Sequence, residues 1–397
     1  MTSALIECVL TQQIAALSEC FRLWRSAWNL PRVFWRAYER PRLATPYRVV
    51  HRAGSLRLLH FGSSSPAVWA EPLLLCSAPV SRPTILDLGP KRSVVRQMLA
   101  AGFDTYLLDW GEATPADFSG GLSGLVAESL IAVAEVIRIR SGMPHFHLVG
   151  YCLGGTLAAI FTALEPALVK NLVLMAAPID CGAETSLLKA WTEEQYFDVD
   201  ALVGAYGNCP GASLRACFAL LKPVRNFYGK FGELANRLDD DEFVDSFVAL
   251  ERWARTGVSV SGTVFRDVVK SLYQRNDLVS GQLEIDGRRV RLDRISCPVL
   301  LLTATEDHLV SPRSTLGLMS RICSRDVKLM SLQGGHESLA VSSTAHTTFW
   351  PEVAQWLADH SVPRTGTWIR PGDEVVGGPP FYHYGSIHDP QARFPQN

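Results

Sequence analysis

Short apolar runs that recur between helical stretches constrain the fold of this chain more than any other feature. Apolar runs of about 4–8 residues are typical of parallel strands that are buried on both faces of a sheet. Helical patterns near residues 90–101, 121–140 and 153–165 separate the runs. The alternation predicts an α/β fold with a doubly wound, mostly parallel sheet. The runs are "EPLLLC" (71–76), "FDTYLLD" (103–109), "FHLVG" (146–150) and "NLVLMAA" (171–177).

The alternation breaks after Pro178, and this break divides the chain. Residues 180–290 are mainly helical in pattern and rich in aromatic side chains. Strand character then returns, and an insertion between sheet strands on the side of the catalytic loops is a candidate cap. We therefore predict a core in two parts with a helical cap insertion. The parts are a first core segment (46–179, opening with a hairpin at 47–61), the cap (180–290), and a second core segment (291–360, with strands at 297–305 and 327–333 and a last helix at 347–359).

The two ends of the chain have their own patterns. Residues 1–45 are rich in Trp and Arg and repeat apolar residues at spacings of three and four, which predicts an N-terminal amphipathic helical segment. Such a helix lies on a hydrophobic surface, packs on a partner helix or docks on its own core, and the sequence leaves these alternatives open. Residues 361–397 are rich in Pro, Gly and Tyr without periodicity, which predicts an extended C-terminal tail.

Composition narrows the class of protein. The net charge of −1 gives no reason to expect nucleic acid as a partner. Nine scattered cysteines without a C-x-x-C pair argue against a disulfide framework and a zinc site, and favour a reducing cytoplasm. The histidines form no metal-binding motif, so we expect no catalytic metal. Neither a signal peptide nor an apolar run near the length of about 18 residues that spans a membrane is evident, so we expect no transmembrane segment.

The stretch "LVGYCLGGT" (148–156) has the pattern of a turn that carries a catalytic nucleophile. A nucleophile on a sharp strand-to-helix turn needs glycine two residues before and after it, because a Cβ there would collide. Gly150, Gly154 and Gly155 flank Cys152 in this way, directly after a predicted strand and before a predicted helix. The pattern predicts Cys152 as a nucleophile. The alternative is a buried cysteine whose neighbouring glycines serve helix–strand packing.

A sulfur nucleophile favours particular substrates. The thiolate is the reactive form, and a helix N-terminus together with a nearby imidazolium favours it. A thiolate also exchanges acyl groups readily with a thioester, since the attacking and leaving atoms are both sulfur. We therefore expect an acyl-CoA-like substrate.

The remaining candidate residues follow the predicted strands that come later in the chain. In an α/β-hydrolase fold the chain order is nucleophile, acid, histidine, which predicts Asp307 in "TATEDHLVSP" as the acid and His336 in "SLQGGHESL" as the base. Glu306 is an alternative acid and His308 an alternative base. The Leu153 N–H is the expected first oxyanion donor. The Val80 N–H, from the loop "CSAPVSRP", is the expected second, because Pro79 has none.

The chain resembles the catalytic subunit of polyhydroxyalkanoate synthases, in particular the short, two-component (class III) kind. The resemblance runs from about residue 45 to 360. The stretches that carry it are "GYCLGGT", "TILDLGPKRSVVRQMLAAGFDTYLLDWG", "KNLVLMAAPID", "GNCPGASLRACFALLKP", "RISCPVLLLTATEDHLVSP" and "GGH".

The resemblance implies an α/β-hydrolase fold with a cap, with Cys152 as acyl carrier and Asp307 and His336 as its partners. It also implies 3-hydroxyacyl-CoA and a growing polyester chain as reactants. Coenzyme A would be part of the substrate and a released product, with no separate cofactor. It further implies a cytoplasmic homodimer on the surface of polyester granules, often with a helical accessory subunit.

The sequence thus predicts an acyltransferase that polymerises (R)-3-hydroxyacyl-CoA. Two alternatives stay open. One is a thioesterase or polyester depolymerase in which water resolves the acyl-enzyme on Cys152. The other is a non-catalytic, granule-associated scaffold with the same fold.

Overall fold

The computed structural model of this chain describes residues 41–62, 67–114, 116–183, 186–221 and 229–365. Residues 1–40, which make up most of the predicted N-terminal helical segment, lie outside these ranges. Residues 366–397 of the predicted tail also lie outside them.

A central sheet organises the described part of the chain, where eight strands pair in the order β1-β2-β4-β3-β5-β6-β7-β8. β2 pairs antiparallel with β1 and with β4, and all other pairs are parallel. The predicted mostly parallel sheet and the opening hairpin are therefore confirmed. The strands are β1 (Arg48–Ala53), β2 (Leu56–Phe61), β3 (Leu73–Cys76), β4 (Thr105–Asp109), β5 (Phe146–Tyr151), β6 (Val169–Met175), β7 (Val299–Ala304) and β8 (Val327–Leu332).

Helices cover both faces of this sheet and fill the segment between β6 and β7. Short 3₁₀ turns (Pro83–Leu86, Pro166–Leu168, Leu292–Arg294) and π-helical segments (Gly124–Leu130, Val268–Gln274, Ala345–Phe349) connect or extend them. The α-helices are α1 (Val94–Ala100), α2 (Ile131–Ser141), α3 (Leu153–Leu164), α4 (Leu187–Thr192), α5 (Val199–Tyr206), α6 (Gly211–Leu220), α7 (Lys230–Asn236), α8 (Asp241–Arg255), α9 (Gly262–Asp267), α10 (Pro312–Leu316), α11 (Ser338–Val341) and α12 (Trp350–Asp359).

Local sequence explains where several of these helices begin and end. Ser93 caps α1 by accepting a hydrogen bond from the Arg96 N–H at 2.9 Å. Asp240 caps α8 in the same way through the Phe243 N–H. Side chains that accept from the orphan N–H groups of a first turn stabilise a helix by about 0.5–2 kcal/mol. Gly142, at φ +71°, ends α2 in the left-handed conformation that glycine adopts without steric cost.

Two apolar layers, one on each face of the sheet, form the core. α2 and α3 build one layer with side chains such as Ile137 and Phe161. α1 and α12 build the other with side chains such as Met98 and Trp350. Every residue of β3, β4, β5 and β7 is buried, as expected for strands covered on both faces. The doubly wound α/β-hydrolase arrangement is confirmed.

The sheet topology places particular loops together. Because β3, β5, β6, β7 and β8 are parallel, the loops after them meet at one edge of the sheet, which is where open α/β sheets bind ligands. Residues 180–290 supply α4 to α9, and α8 packs against the turn Pro83–Leu86. The division of the chain into core and cap stays a prediction. In the described ranges, we find no helix that combines the length and the apolar character needed to cross a membrane.

Candidate active site

Cys152 lies in the turn that joins β5 to α3. Its backbone has φ +54° and ψ −130°, a left-handed conformation that costs a non-glycine residue about 1–3 kcal/mol. The Cys152 N–H donates to the Met175 carbonyl of β6 at 2.9 Å, and the Cys152 carbonyl accepts from the Gly155 N–H at 2.8 Å. Residue 152 is half-buried and contacts both apolar layers. The turn thus holds a cysteine in the strained geometry typical of nucleophile turns.

The three glycines around Cys152 permit this turn. A Cβ on Gly150 would lie 2.4 Å from the Gly155 Cα, and a Cβ on Gly155 would lie 2.6 Å from the Ala177 Cβ. A Cβ on Gly154 would lie 2.3 Å from the Cys76 carbonyl oxygen at the end of β3. Side chains at these positions would push α3 away from the sheet. The steric reason for the glycines is therefore present in the structure.

Asp307 and His336 form a buried pair beyond the ends of β7 and β8. The distance between His336 Nδ1 and Asp307 Oδ2 is 2.7 Å, and both side chains are almost fully buried. The other carboxylate oxygen of Asp307 accepts from the N–H groups of Leu309 and Val310, each at 2.9 Å. These bonds fix the carboxylate, which in turn orients the imidazole of His336.

Electrostatics join this pair to Cys152. Burial opposes the charged imidazole, but the negative charges of Asp307 and of the Cys152 thiolate raise the pKa of His336 well above its ordinary value. Hydrogen bonds from His336 to Asp307 and to Cys152 act in the same direction. The structure therefore brings together a thiol, an imidazole and a carboxylate. Chemically, such a set can hold a proton on the imidazole while the sulfur acts as nucleophile.

Tyr151 is a contributor that sequence reasoning missed. Its ring stacks on the imidazole of His336, with centroids 5.1 Å apart and planes 24° apart. Burial, followed by the charge of Glu337, raises the pKa of the Tyr151 phenol well above its ordinary value, so the phenol stays neutral. The sequence feature that could have revealed this role is the position of Tyr151 as the last residue of β5, directly before Cys152.

Ser338 and Tyr273 were also missed. Ser338 Oγ accepts from the Gly335 N–H at 3.2 Å and so supports the turn that presents His336. The pKa of Tyr273 is raised well above its ordinary value by burial and then by the charges of Cys181, Cys152 and Asp307. Its hydroxyl, carried by the π-helical segment Val268–Gln274, is therefore protonated.

The two expected oxyanion donors lie on adjoining segments. Leu153 is the first residue of α3, where N–H groups have no intrahelical partner. Val80 is half-buried and packs against the layer formed by α2 and α3. The segment that leads to it passes close to the first turn of α3, because a Cβ on Gly154 would lie 2.5 Å from the Ser77 carbonyl oxygen. The role of either N–H group stays a prediction.

The alternative acid and base, and a further carboxylate at the end of β4, have other surroundings than Asp307 and His336. Glu306 is exposed, whereas Asp307 is buried against His336. His308 is half-buried on the same loop as Asp307. Asp109, at the end of β4, forms an ion pair with Arg57 and accepts from the backbone of the next loop, which is a structural role. The Asp307–His336 contact therefore favours the acid and base predicted first.

The other sulfur groups differ from Cys152. All seven cysteines in the described ranges are free thiols. Burial raises the pKa of Cys76 and of Cys181 to about 12, which keeps both thiols protonated at neutral pH. Cys217 and Cys323 are exposed. In the part of the chain that the structure covers, no group of three or more His, Cys, Asp and Glu side chains is arranged to hold a metal ion.

Comparison with known proteins places the chain in a family. A family described as the alpha/beta hydrolase fold matches residues 85–342. The poly(3-hydroxyalkanoate) polymerase subunit PhaC of Haloferax mediterranei is 37% identical over 331 residues, covering 83% of this chain and 67% of that protein. The subunit PhaC of Haloarcula marismortui is 36% identical, covering 80% of this chain and 68% of that protein. The subunit PhaC of Allochromatium vinosum is 33% identical, covering 79% and 88%. The chain therefore belongs to the poly(3-hydroxyalkanoate) polymerase family, within the α/β-hydrolase superfamily.

Proposed function

We propose that this chain polymerises (R)-3-hydroxyacyl-CoA into polyester through an acyl-enzyme on Cys152, with release of CoA. Family membership supports polyhydroxyalkanoate synthesis as the activity. The observation that carries the mechanism is the buried Asp307–His336 hydrogen bond beside the strained turn of Cys152, whose charge helps to raise the pKa of His336. A thiol nucleophile suits a thioester substrate, because acyl transfer breaks one thioester bond and forms another, so its free-energy change is small.

The first step is acylation of Cys152. Its thiolate attacks the thioester carbonyl, and the oxygen of the tetrahedral intermediate accepts hydrogen bonds from the N–H groups of Leu153 and Val80. The bond between the carbonyl carbon and the CoA sulfur then breaks. The proton held on His336 neutralises the departing CoA thiolate, and Asp307 stabilises the imidazole in both protonation states.

The second step forms the ester. His336 takes the proton of a 3-hydroxyl group on a second acyl unit, and that oxygen attacks the carbonyl of the acyl-enzyme. The thioester bond to Cys152 breaks, so the sulfur leaves as a thiolate and the new ester bond lengthens the chain. We infer that the aromatic residues of 180–290 limit the access of water, which would otherwise hydrolyse the same acyl-enzyme.

The proposal extends to cofactors, partner subunits and location in the cell. Coenzyme A enters as part of the substrate and leaves as product, and we propose that no resident cofactor or metal takes part. The relatives are named as subunits, which supports a partner subunit for this chain. We propose that this partner is a helical accessory subunit. We further propose a homodimer that works in the cytoplasm on the surface of polyester granules.

Turnover of (R)-3-hydroxybutyryl-CoA by the purified chain tests the proposal. We expect CoA release together with precipitation of polyester, identified by NMR after extraction. Cys152→Ala should release no CoA, whereas Cys217→Ala, which removes an exposed thiol on α6, should retain full turnover.

The product distinguishes the alternatives. Free 3-hydroxybutyrate as the sole product would replace the proposal with a thioesterase. A chain that releases neither CoA nor polymer, with or without an accessory subunit, would instead be a scaffold. Polymer formation by Cys152→Ala would overturn the acyl-enzyme on that sulfur.

A further inference from the structure

The loop that follows β3, residues Ser77–Arg82, is called the β3 loop below. At its start, the Ser77 carbonyl accepts from Trp110 Nε1 at 2.8 Å, and Ser77 Oγ donates to the Leu108 carbonyl of β4 at 2.7 Å. The Ser77 carbonyl also lies against Gly154 in the first turn of α3. The start of the β3 loop is therefore fixed to the sheet and to the helix that follows Cys152.

The end of the β3 loop is held by a helix from a distant part of the sequence. Trp253, near the C-terminus of α8, donates from its indole Nε1 to the Arg82 carbonyl at 2.9 Å. The indole is half-buried and packs against the apolar layer formed by α1 and α12. α8 also packs against Pro83–Leu86, the turn that directly follows the loop. The donor side chain and the helix that carries it are therefore both packed close to this hydrogen bond.

Other polar contacts around the end of the loop are more exposed. The Arg82 guanidinium donates to Glu112 Oε2 at 3.0 Å, but more than half of the Glu112 side chain is exposed. Lys91 pairs with Glu242 of α8 at 2.7 Å, and both side chains are exposed. Exposed ion pairs contribute only about 0–1 kcal/mol. The indole of Trp253 is therefore the better-shielded polar link between α8 and the β3 loop.

We propose that Trp253 is a positioning residue for the oxyanion site. Its indole N–H holds the Arg82 end of the β3 loop, so that the Val80 N–H stays directed at the same point as the Leu153 N–H. This inference rests on the proposed function, because an oxyanion forms only if Cys152 is acylated. The segment between β6 and β7 would then influence catalysis through the backbone of the β3 loop.

The expected effect follows from the geometry that an oxyanion site requires. Donors must lie within about 2.7–3.1 Å of the developing charge, and complete removal of one donor costs about 10²–10³ in rate. Loss of the Trp253 hydrogen bond frees one end of the loop and leaves the start of the loop fixed. A partial displacement of Val80 should therefore slow acylation by about tenfold, because small misplacements cost less than loss of the donor.

The test compares two reactions of Cys152 in Trp253→Phe. Acylation by (R)-3-hydroxybutyryl-CoA passes through an oxyanion. Alkylation by iodoacetamide does not, because the sulfur displaces iodide directly and no charged oxygen develops. Peptide mass spectrometry follows alkylation at Cys152, since Cys217 and Cys323 are exposed and also react. Trp69→Phe is the matched control. Trp69 precedes β3, and its Nε1 donates to the Ala101 carbonyl at 2.9 Å, so this substitution also removes an indole hydrogen bond to a carbonyl but leaves the β3 loop untouched.

We expect Trp253→Phe to acylate about tenfold more slowly, as a partly displaced donor predicts, while its alkylation rate and KM change less than about twofold. Trp69→Phe should change neither rate. Benzothienylalanine at position 253, which replaces the indole N–H by sulfur at nearly constant shape, should reproduce the acylation defect without loss of packing.

Equal slowing of acylation and alkylation would mean that Trp253 acts only through folding, and the inference would be wrong. Acylation at the rate of the Trp69→Phe control would also overturn it. Both results leave the proposed function intact. If the unaltered chain forms no acyl-enzyme, the proposed function itself fails, so the two failures are distinguishable.

Discussion

Gly150 offers a direct test of the turn that carries Cys152. A methyl group at this position would lie 2.4 Å from the Gly155 Cα, 2.7 Å from the Gly154 carbonyl oxygen and 2.8 Å from the Gly155 N. Ordinary van der Waals contact begins at 3.4 Å, so the first turn of α3 must move by 1.0 Å (3.4 minus 2.4) in Gly150→Ala. All three contacts are backbone atoms, and no side-chain rotation relieves them.

This displacement should lower both the stability of the fold and the rate of CoA release, and the two effects can be measured separately. Overpacking of a buried site costs about 1–3 kcal/mol, so we expect the melting temperature to fall while the chain still folds. A misplacement of about 1 Å at reacting groups costs up to about 10²-fold in rate, so CoA release per folded enzyme should drop by that order. Differential scanning calorimetry and a CoA-release assay measure the two effects.

Gly89→Ala is the matched control for this substitution. No atom lies within 4 Å of a Cβ at Gly89, and its φ is not in the left-handed region. Replacing such a glycine stabilises a protein by about 0.4–1 kcal/mol through the unfolded state. If Gly150→Ala keeps the melting temperature and the CoA-release rate of Gly89→Ala, the steric reasoning about the nucleophile turn is refuted.

Three further predictions concern the choice of catalytic base, the carboxylate of Asp307 and the buried imidazole of His147. His336→Gln should abolish acylation of Cys152, whereas His308→Gln should reduce it much less, and equal losses in single-turnover assays would contradict the choice of base. Asp307→Asn removes a charge that raises the pKa of His336, so the alkaline limb of kcat/KM should move to lower pH; an unmoved limb would argue against the pairing. Burial, then the charge of Lys170, lowers the pKa of His147 to about 3. The unfolded chain therefore binds a proton that the folded chain excludes, and stability should fall as pH decreases from about 6.5 towards 3. His147→Gln should flatten that fall in urea unfolding, and an unchanged slope would count against a buried neutral imidazole.

The sequence predicted the layers of the fold because burial leaves a local signal. β5 and β7 are buried at every position, and their continuous apolar runs are visible without knowledge of their neighbours. The position of β4 between β2 and β3 leaves no such signal, since the order of strands depends on crossovers that join residues far apart. The π-helical segments also escaped prediction, because one extra residue in a turn hardly changes helical periodicity.

Some features of the candidate site could likewise be predicted from the sequence, and others could not. Gly150 could be recognised because the collisions it avoids involve Gly154 and Gly155, which are close by in the chain. The collision that Gly154 avoids, with Cys76 and Ser77, joins distant residues and became visible only in the structure. Asp307 and His336 could be proposed because an expected chain order assigned them to the ends of two strands. The stacking of Tyr151 on His336 and the bond from Trp253 to Arg82 could not be predicted. Each joins residues more than 150 positions apart, and only packed side chains bring such residues into contact.

The central claim is that Cys152 carries the acyl group during turnover. Rapid quenching of the enzyme with (R)-3-hydroxybutyryl-CoA, followed by proteolysis and mass spectrometry, measures this directly. We expect a 3-hydroxybutyryl adduct on the peptide that contains Cys152, formed at the rate of the first CoA released and lost in Cys152→Ala. Turnover with no adduct on that peptide, or with the adduct on another residue, would contradict the account.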